Sequence, residues 1–296
     1  MNDRASWRSP ELGPVRTLDL GGGRRIRAHV TGEGPAIVFV HGALVNANLW
    51  RRVVPRLRGF TRVALDMPLG SHLEPMPRDA DLRPPALADL IADSIEKLDL
   101  TDVTVVGNDT GGGITQILAT RRPERIGALV LTSCDAFDNF PPRFFRIVLA
   151  PARIPGAIPV AFGGLRLRPL RRLPIAYGWL TNEPIDREAE DSYVLPVLSD
   201  GAIRRDTRRF LGGLDSAETL DAAAKLAGWD KPVLIAWSEN DRFFPPAHAE
   251  RLATLIPGAR LEWIEGARSF SPEDSPGRLA ELIGAFIRER GRTAVR

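Results

Sequence analysis

The fold turns on VTVVGNDTGGG, residues 103–113. Val103 to Gly107 form a nearly continuous apolar, largely β-branched run, the pattern of a strand buried on both faces of a parallel sheet. The run meets a Gly-rich turn at Gly107, and a helical pattern follows from 111 to 122. A tight turn from strand to helix lifts one side chain above the sheet edge, and Gly107, Gly111 and Gly112 supply the room it needs. That side chain is Asp109. The positive end of the helix favours its ionised form, so it is expected to stay charged and serve as a nucleophile or base. The plainer expectation is that Asp109 only caps the helix beginning near Gly111.

Outward from this turn the alternation of strand and helix repeats. Apolar strand patterns occur at 36–40, 62–66, 128–132, 233–237 and 260–264, preceded by an alternating pair at 15–20 and 24–30 that reads as a hairpin. Helical patterns lie at 47–57, 85–98, 111–122, 246–256 and about 276–290. This predicts an α/β chain with a doubly wound, mostly parallel sheet. Between the strand at 128–132 and that at 233–237, helices, loops and prolines run with no strong strand pattern. Residues 136–214 are therefore expected to form a helical cap, with the core divided into 1–135 and 215–296. Such an insertion would cover the sheet edge where open α/β proteins bind ligands.

At 296 residues with 44% hydrophobic content, the chain can bury one large core. One cysteine, Cys134, excludes an internal disulfide and fits a reducing compartment. The opening MNDRASWRSPELG is polar, and no later stretch reaches a membrane-spanning length free of charge. A cytoplasmic protein with no membrane partner is expected. Of the 40 basic residues only Lys97, Lys225 and Lys231 are not arginine, and the net charge is +3. This bias is read as compositional, with no nucleic-acid partner. Residues 139–182 contain no Asp or Glu, while Arg143, Arg146, Arg153, Arg166, Arg168, Arg171 and Arg172 gather there among apolar residues. The expected substrate is a mid-sized apolar small molecule carrying an anionic group that these arginines attract. With no clustered His/Cys set, and a Gly-rich turn at 21–23 that does not open a helix, neither metal nor organic cofactor is expected. Oligomeric state stays open.

HG at 41–42 followed by Trp50, DMPLG at 66–70, GNDTGG at 107–112, WSENDRFFPP at 237–246 and IPGARLEWIEGARSF at 256–270 together resemble the α/β-hydrolase superfamily, in the expected order from about Val15 onward. Asp at the elbow is similar to the haloalkane dehalogenases and epoxide hydrolases, where esterases and lipases usually carry Ser. The resemblance implies Asp109 as nucleophile, Asp241 as the orienting acid, and an oxyanion hole from the backbone N–H groups of Ala43 and Thr110.

The chain also departs from that family. Where the loop before the last helix usually reads GAGHF, Ser269 takes the place of the catalytic histidine. Of the four histidines, His72 on the loop after the fourth strand is the expected substitute; His29 reads as structural, His41 as shaping the oxyanion loop, and His248 as facing solvent. Thr110 stands where dehalogenases place a halide-holding Trp, and Ala43 replaces their second N–H donor side chain. Epoxide hydrolases use cap tyrosines to donate a hydrogen bond to the opening ring oxygen, and Tyr177 and Tyr193 both fall in the cap; ordinary packing is the alternative. Asp135 is a further candidate for the pocket. Three functions stay open: an epoxide-hydrolase-like enzyme, a lyase, cyclase or isomerase in which Asp109 moves protons, or a binding protein that keeps the pocket without the reaction.

Overall fold

A computed structural model describes residues 3–293. Eight strands form one sheet in the order β1-β2-β4-β3-β5-β6-β7-β8. They are β1 (Val15–Asp19), β2 (Arg25–Thr31), β3 (Ala36–Val40), β4 (Thr61–Asp66), β5 (Val103–Asp109), β6 (Ile126–Cys134), β7 (Val233–Ser238) and β8 (Arg260–Ile264). β1 pairs antiparallel with β2, and β2 antiparallel with β4. Every other neighbouring pair is parallel. β3, β5, β6 and β7 are buried at every position, which is why their sequences carry no polar alternation.

Helices α1 (Pro84–Lys97) and α2 (Thr110–Arg121) pack together. After β6 come short helical turns, then α3 (Arg187–Ser199), α4 (Gly201–Gly212) and α5 (Ser216–Leu226). Helix α5 returns to pack on α2, and the Thr219 hydroxyl donates to the Phe137 carbonyl at 2.6 Å. Then α6 (Pro246–Leu255) packs on β7, β8 and α5, while α7 (Pro276–Thr293) contacts β7, β8 and the turn Val54–Arg56. Among the described residues no strand lies between β6 and β7.

The helix expected at 47–57 is instead two short 3-10 turns, Ala47–Trp50 and Val54–Arg56. Asn46 caps the first, accepting the Asn48 N–H at 3.0 Å. Pro55 lacks an N–H and cannot continue a helical ladder through the second. This loop is anchored twice. Trp50 is fully buried with its ring 5.0 Å from Phe39, a packing worth about 1 kcal/mol beyond the area it hides. Asn46 and Asn48 donate to the Ser192 carbonyl and hydroxyl of α3 at 2.9 and 2.8 Å. Nearby, buried Arg51 donates to both oxygens of Glu273 and also pairs with Asp186 ahead of α3, so core and inserted helices are tied at the loop that follows β3. Breaking such a buried pair by deleting one partner leaves a stranded charge and costs about 3 kcal/mol or more.

Candidate active site

β5 ends on Asp109 and α2 begins at Thr110, with Asp109 at φ 55° and ψ −133°. That backbone conformation is sparsely allowed for a residue with a Cβ, and its surroundings hold it there. Gly111 lies against the end of β3: a Cβ on it would sit 2.4 Å from the His41 carbonyl oxygen. Gly42 faces the elbow from the other side, and a Cβ there would meet the Asp109 Oδ1 at 2.4 Å. The glycines thus let the turn nest against the loop after β3. As a result the Ala43 and Thr110 N–H groups both donate to Asp109 Oδ1, at 3.1 and 2.6 Å. Oδ2 receives neither. The capping expectation holds in part, since the Thr110 bond ties the side chain to the first turn of α2.

Burial pushes the Asp109 carboxyl up to about 6, against the pull of the two backbone donors, and the charge of Asp241 adds to the rise. The helix end therefore does not hold this carboxyl in the usual acidic range, although it is still mostly ionised at neutral pH. Thr110 Oγ1 donates to Asp135 Oδ2 at 3.2 Å. Asp135 is completely buried, and burial, with the neighbouring charge of Asp109, raises its carboxyl well above the ordinary range. It stands behind Thr110 and is absent from the cavity wall, so the expectation of direct substrate contact is corrected.

Ser269 and Asp241 form a closed pair. Asp241 Oδ1 accepts the Ser269 hydroxyl at 2.8 Å and the N–H groups of Phe243 and Phe244 at 2.9 Å each. Asn108, next to Asp109, donates to the Ser269 carbonyl at 2.8 Å. The loops before α6 and after β8 are thereby drawn to the elbow. Burial raises the Asp241 carboxyl, opposed by these donors. Neither Ser269 nor Asp241 lines the cavity.

His72 is not with them. It is buried with Nε2 3.4 Å from Asp206 on α4, outside the cavity wall, because the loop after β4 is held under α4 by Asp206, which also accepts the Met76 N–H. His248 is half-buried with its ring 5.7 Å from that of Phe137, not solvent-facing. Tyr177 lines the cavity and donates to the Leu44 carbonyl at 2.7 Å. Tyr193 does not: it is fully buried and its hydroxyl donates to Glu273 at 3.3 Å, in the Arg51 cluster.

The cavity itself, about 340 Å³, lies over Asp109 and Thr110. Its wall comes mainly from the segment after β6, with Phe145, Leu149, Phe162, Leu165 and Leu180 among its largest residues, and from Ala43 and Leu44. Asp109 supplies its one charged group. None of the seven arginines of 139–182 lines it, which corrects the expectation of an anion-attracting lining. Arg171 is instead buried against Glu190 and Asp191, and Arg168 pairs with Asp191. The apolar character of this wall agrees with the Phe, Leu, Ile and Pro content read from the segment, whereas the steric role of Gly42 was not read from the sequence. Among the described residues no group of three or more His, Cys, Asp or Glu side chains is assembled to hold a metal ion.

Known proteins with similar sequences include a 2-hydroxymuconate semialdehyde hydrolase of Pseudomonas sp. (strain CF600), 26% identical with 98% of this chain and 99% of that protein covered. Haloalkane dehalogenase 2 of Mycobacterium bovis is 27% identical, over 93% of this chain and 96% of its own length. In structure, a haloalkane dehalogenase from Bradyrhizobium elkani superposes with a TM-score of 0.79 at 19% identity, covering 96% of this chain and 99% of the other. The family model for the alpha/beta hydrolase fold matches residues 35–276. With an eight-stranded sheet in this order, an elbow at the end of β5 and that match across most of its length, the chain belongs to the α/β-hydrolase fold family.

Proposed function

We propose that the chain is an epoxide-hydrolase-like enzyme in which Asp109 attacks carbon in a neutral, mid-sized apolar substrate. The observation that carries this reading is the pair of N–H groups on a single oxygen of Asp109. They orient the carboxylate and leave Oδ2 to attack. A bond forms from Oδ2 to the electrophilic carbon, the ring C–O bond breaks, and the released oxygen takes up a proton from solvent, which the attacking water of the second step gives back. Tyr177 is the hydroxyl in the cavity wall that can supply a hydrogen bond there, by exchanging the Leu44 carbonyl. Water then attacks the ester carbonyl, and the negative charge developing on Oδ1 falls on the Ala43 and Thr110 N–H groups, a stabilisation worth about 3 kcal/mol per donor in comparable sites. The second step has no imidazole to take the proton of water, so it is the slow one. A cavity without a cation suits an uncharged substrate.

A second reading rests on the elevated Asp109 carboxyl. A carboxyl near 6 beside the buried Asp135, whose carboxyl is also raised and which is bridged through Thr110, suits a lyase, cyclase or isomerase that moves protons without consuming water. One turnover of an epoxide panel in heavy-oxygen water, followed by mass analysis of the peptide holding Asp109, separates the two. The hydrolase reading expects label in the Asp109 carboxylate; turnover with an unlabelled Asp109 would sink it in favour of proton transfer.

A further inference from the structure

The segment that walls the cavity exposes both apolar and positively charged side chains. Ile147, Ile154, Val160, Leu167, Leu173 and Ile175 are exposed, Val160 at 86% and Ile147 at 76%. Outside this segment only Val15 and Leu220 are comparably exposed among the large hydrophobic residues described. So many exposed aliphatic side chains in one stretch mark a site of contact with a partner or a membrane. Two of them, Val160 and Ile175, also line the cavity, so the patch is continuous with its mouth.

The arginines of the same segment divide into two sets. Arg168 and Arg171 turn to the carboxylates of α3. Arg143, Arg146, Arg153, Arg166 and Arg172 are exposed, and among the described residues none forms an ion pair. Arg146 and Arg166 donate only to backbone carbonyls. No Asp or Glu occurs between residues 139 and 182 to neutralise them.

We propose that this face docks on an anionic lipid bilayer, with the aliphatic side chains entering the headgroup region and the five arginines meeting lipid phosphates. The cavity mouth then opens onto the layer in which an apolar substrate is dissolved. Charge complementarity selects this occupant: unpaired cations mixed with aliphatic residues match a surface that is anionic outside and apolar beneath. Among the described residues no helix is long and apolar enough to cross a membrane, so the contact is peripheral. The expectation of no membrane partner rested on the lack of a spanning stretch and did not weigh surface contact. The inference is independent of the reaction, because binding is read without turnover.

The test is sedimentation of the full chain with vesicles of phosphatidylcholine alone and of equal parts phosphatidylcholine and phosphatidylglycerol, at low and high salt. Binding to the anionic vesicles that weakens with salt is expected. Each basic residue at such a surface contributes roughly a fivefold gain, so Arg143→Gln with Arg153→Gln and Arg172→Gln should lose on the order of a hundredfold. These arginines have no carboxylate partner, so the variant should melt with the wild type. Ile147→Glu with Ile154→Glu and Leu167→Glu, none of which lines the cavity, should also abolish binding. Failure of the wild type to sediment with either vesicle overturns the proposal, as does unchanged binding by the arginine variant.

Discussion

Asp109→Asn should change how stability depends on pH, and the size of the change follows from the site. In the folded chain the carboxyl is raised from 3.8 to about 6, chiefly by burial. Between those values the native state binds more protons than the unfolded chain, so this group makes stability fall as pH rises. The full difference is about two units, or about 3 kcal/mol, present as a penalty above the folded value and absent below the unfolded one. Asn presents the same carbonyl oxygen to the Ala43 and Thr110 N–H groups but does not ionise, so its penalty is independent of pH. Denaturant unfolding of both proteins from about pH 4 to about pH 7.5 measures the effect as a double difference, in which all other titrations largely cancel. The wild type should lose about 2.4 kcal/mol relative to the variant across that range, because the unfolded carboxyl is already partly ionised at the acid end. Parallel curves would refute the reasoning, because they would mean that Asp109 is not desolvated, and the proposed chemistry would lose its buried nucleophile.

Two other substitutions probe the neighbours. Gly42→Ala places a methyl 2.4 Å from Asp109 Oδ1, so it should displace the carboxylate and reduce kcat by a hundredfold or more, on the scale of about 3 kcal/mol for a lost oxyanion donor, with the thermal midpoint showing a smaller change. Normal turnover would mean the two N–H contacts are dispensable. Ser269→His puts an imidazole beside Asp241 Oδ1, and burst kinetics on an epoxide panel should show the second phase accelerated about a hundredfold; a folded variant with an unchanged second phase argues against an ester waiting for a base.

Much of the fold was readable because its signals are local. The eight strand patterns lie within a residue or two of the observed strands, since burial on both faces removes any polar alternation from the central ones. The elbow was equally legible, because only glycine fits where the turn touches β3. What failed depends on distant contacts. Whether His72 or Tyr193 faces the cavity is decided by how α3 and α4 settle on the loops after β3 and β4, and no periodicity in those segments encodes that. The arginines misled for a similar reason: Glu190 and Asp191 lie outside the acid-free segment yet fold back onto Arg168 and Arg171. Asp135 directly follows the last residue of β6, inside a buried run that continues to Phe137 past the strand pattern at 128–132, and Thr110 lies between it and the cavity.

The apolar wall of the cavity has a consequence for selectivity. Apart from the reacting group proposed to meet Asp109 and Tyr177, such a pocket reads its guest by shape, which gains or loses about 1 to 3 kcal/mol for each methylene, whereas a dedicated polar contact can reject an analogue by four orders of magnitude or more. With Phe145, Leu149, Phe162 and Leu165 around a single carboxylate, discrimination among homologues should be graded, rising and falling smoothly with chain length and branching. A catalyst of the proposed kind would be a generalist, and a change at one wall position would retune its preferred size without creating a strict specificity.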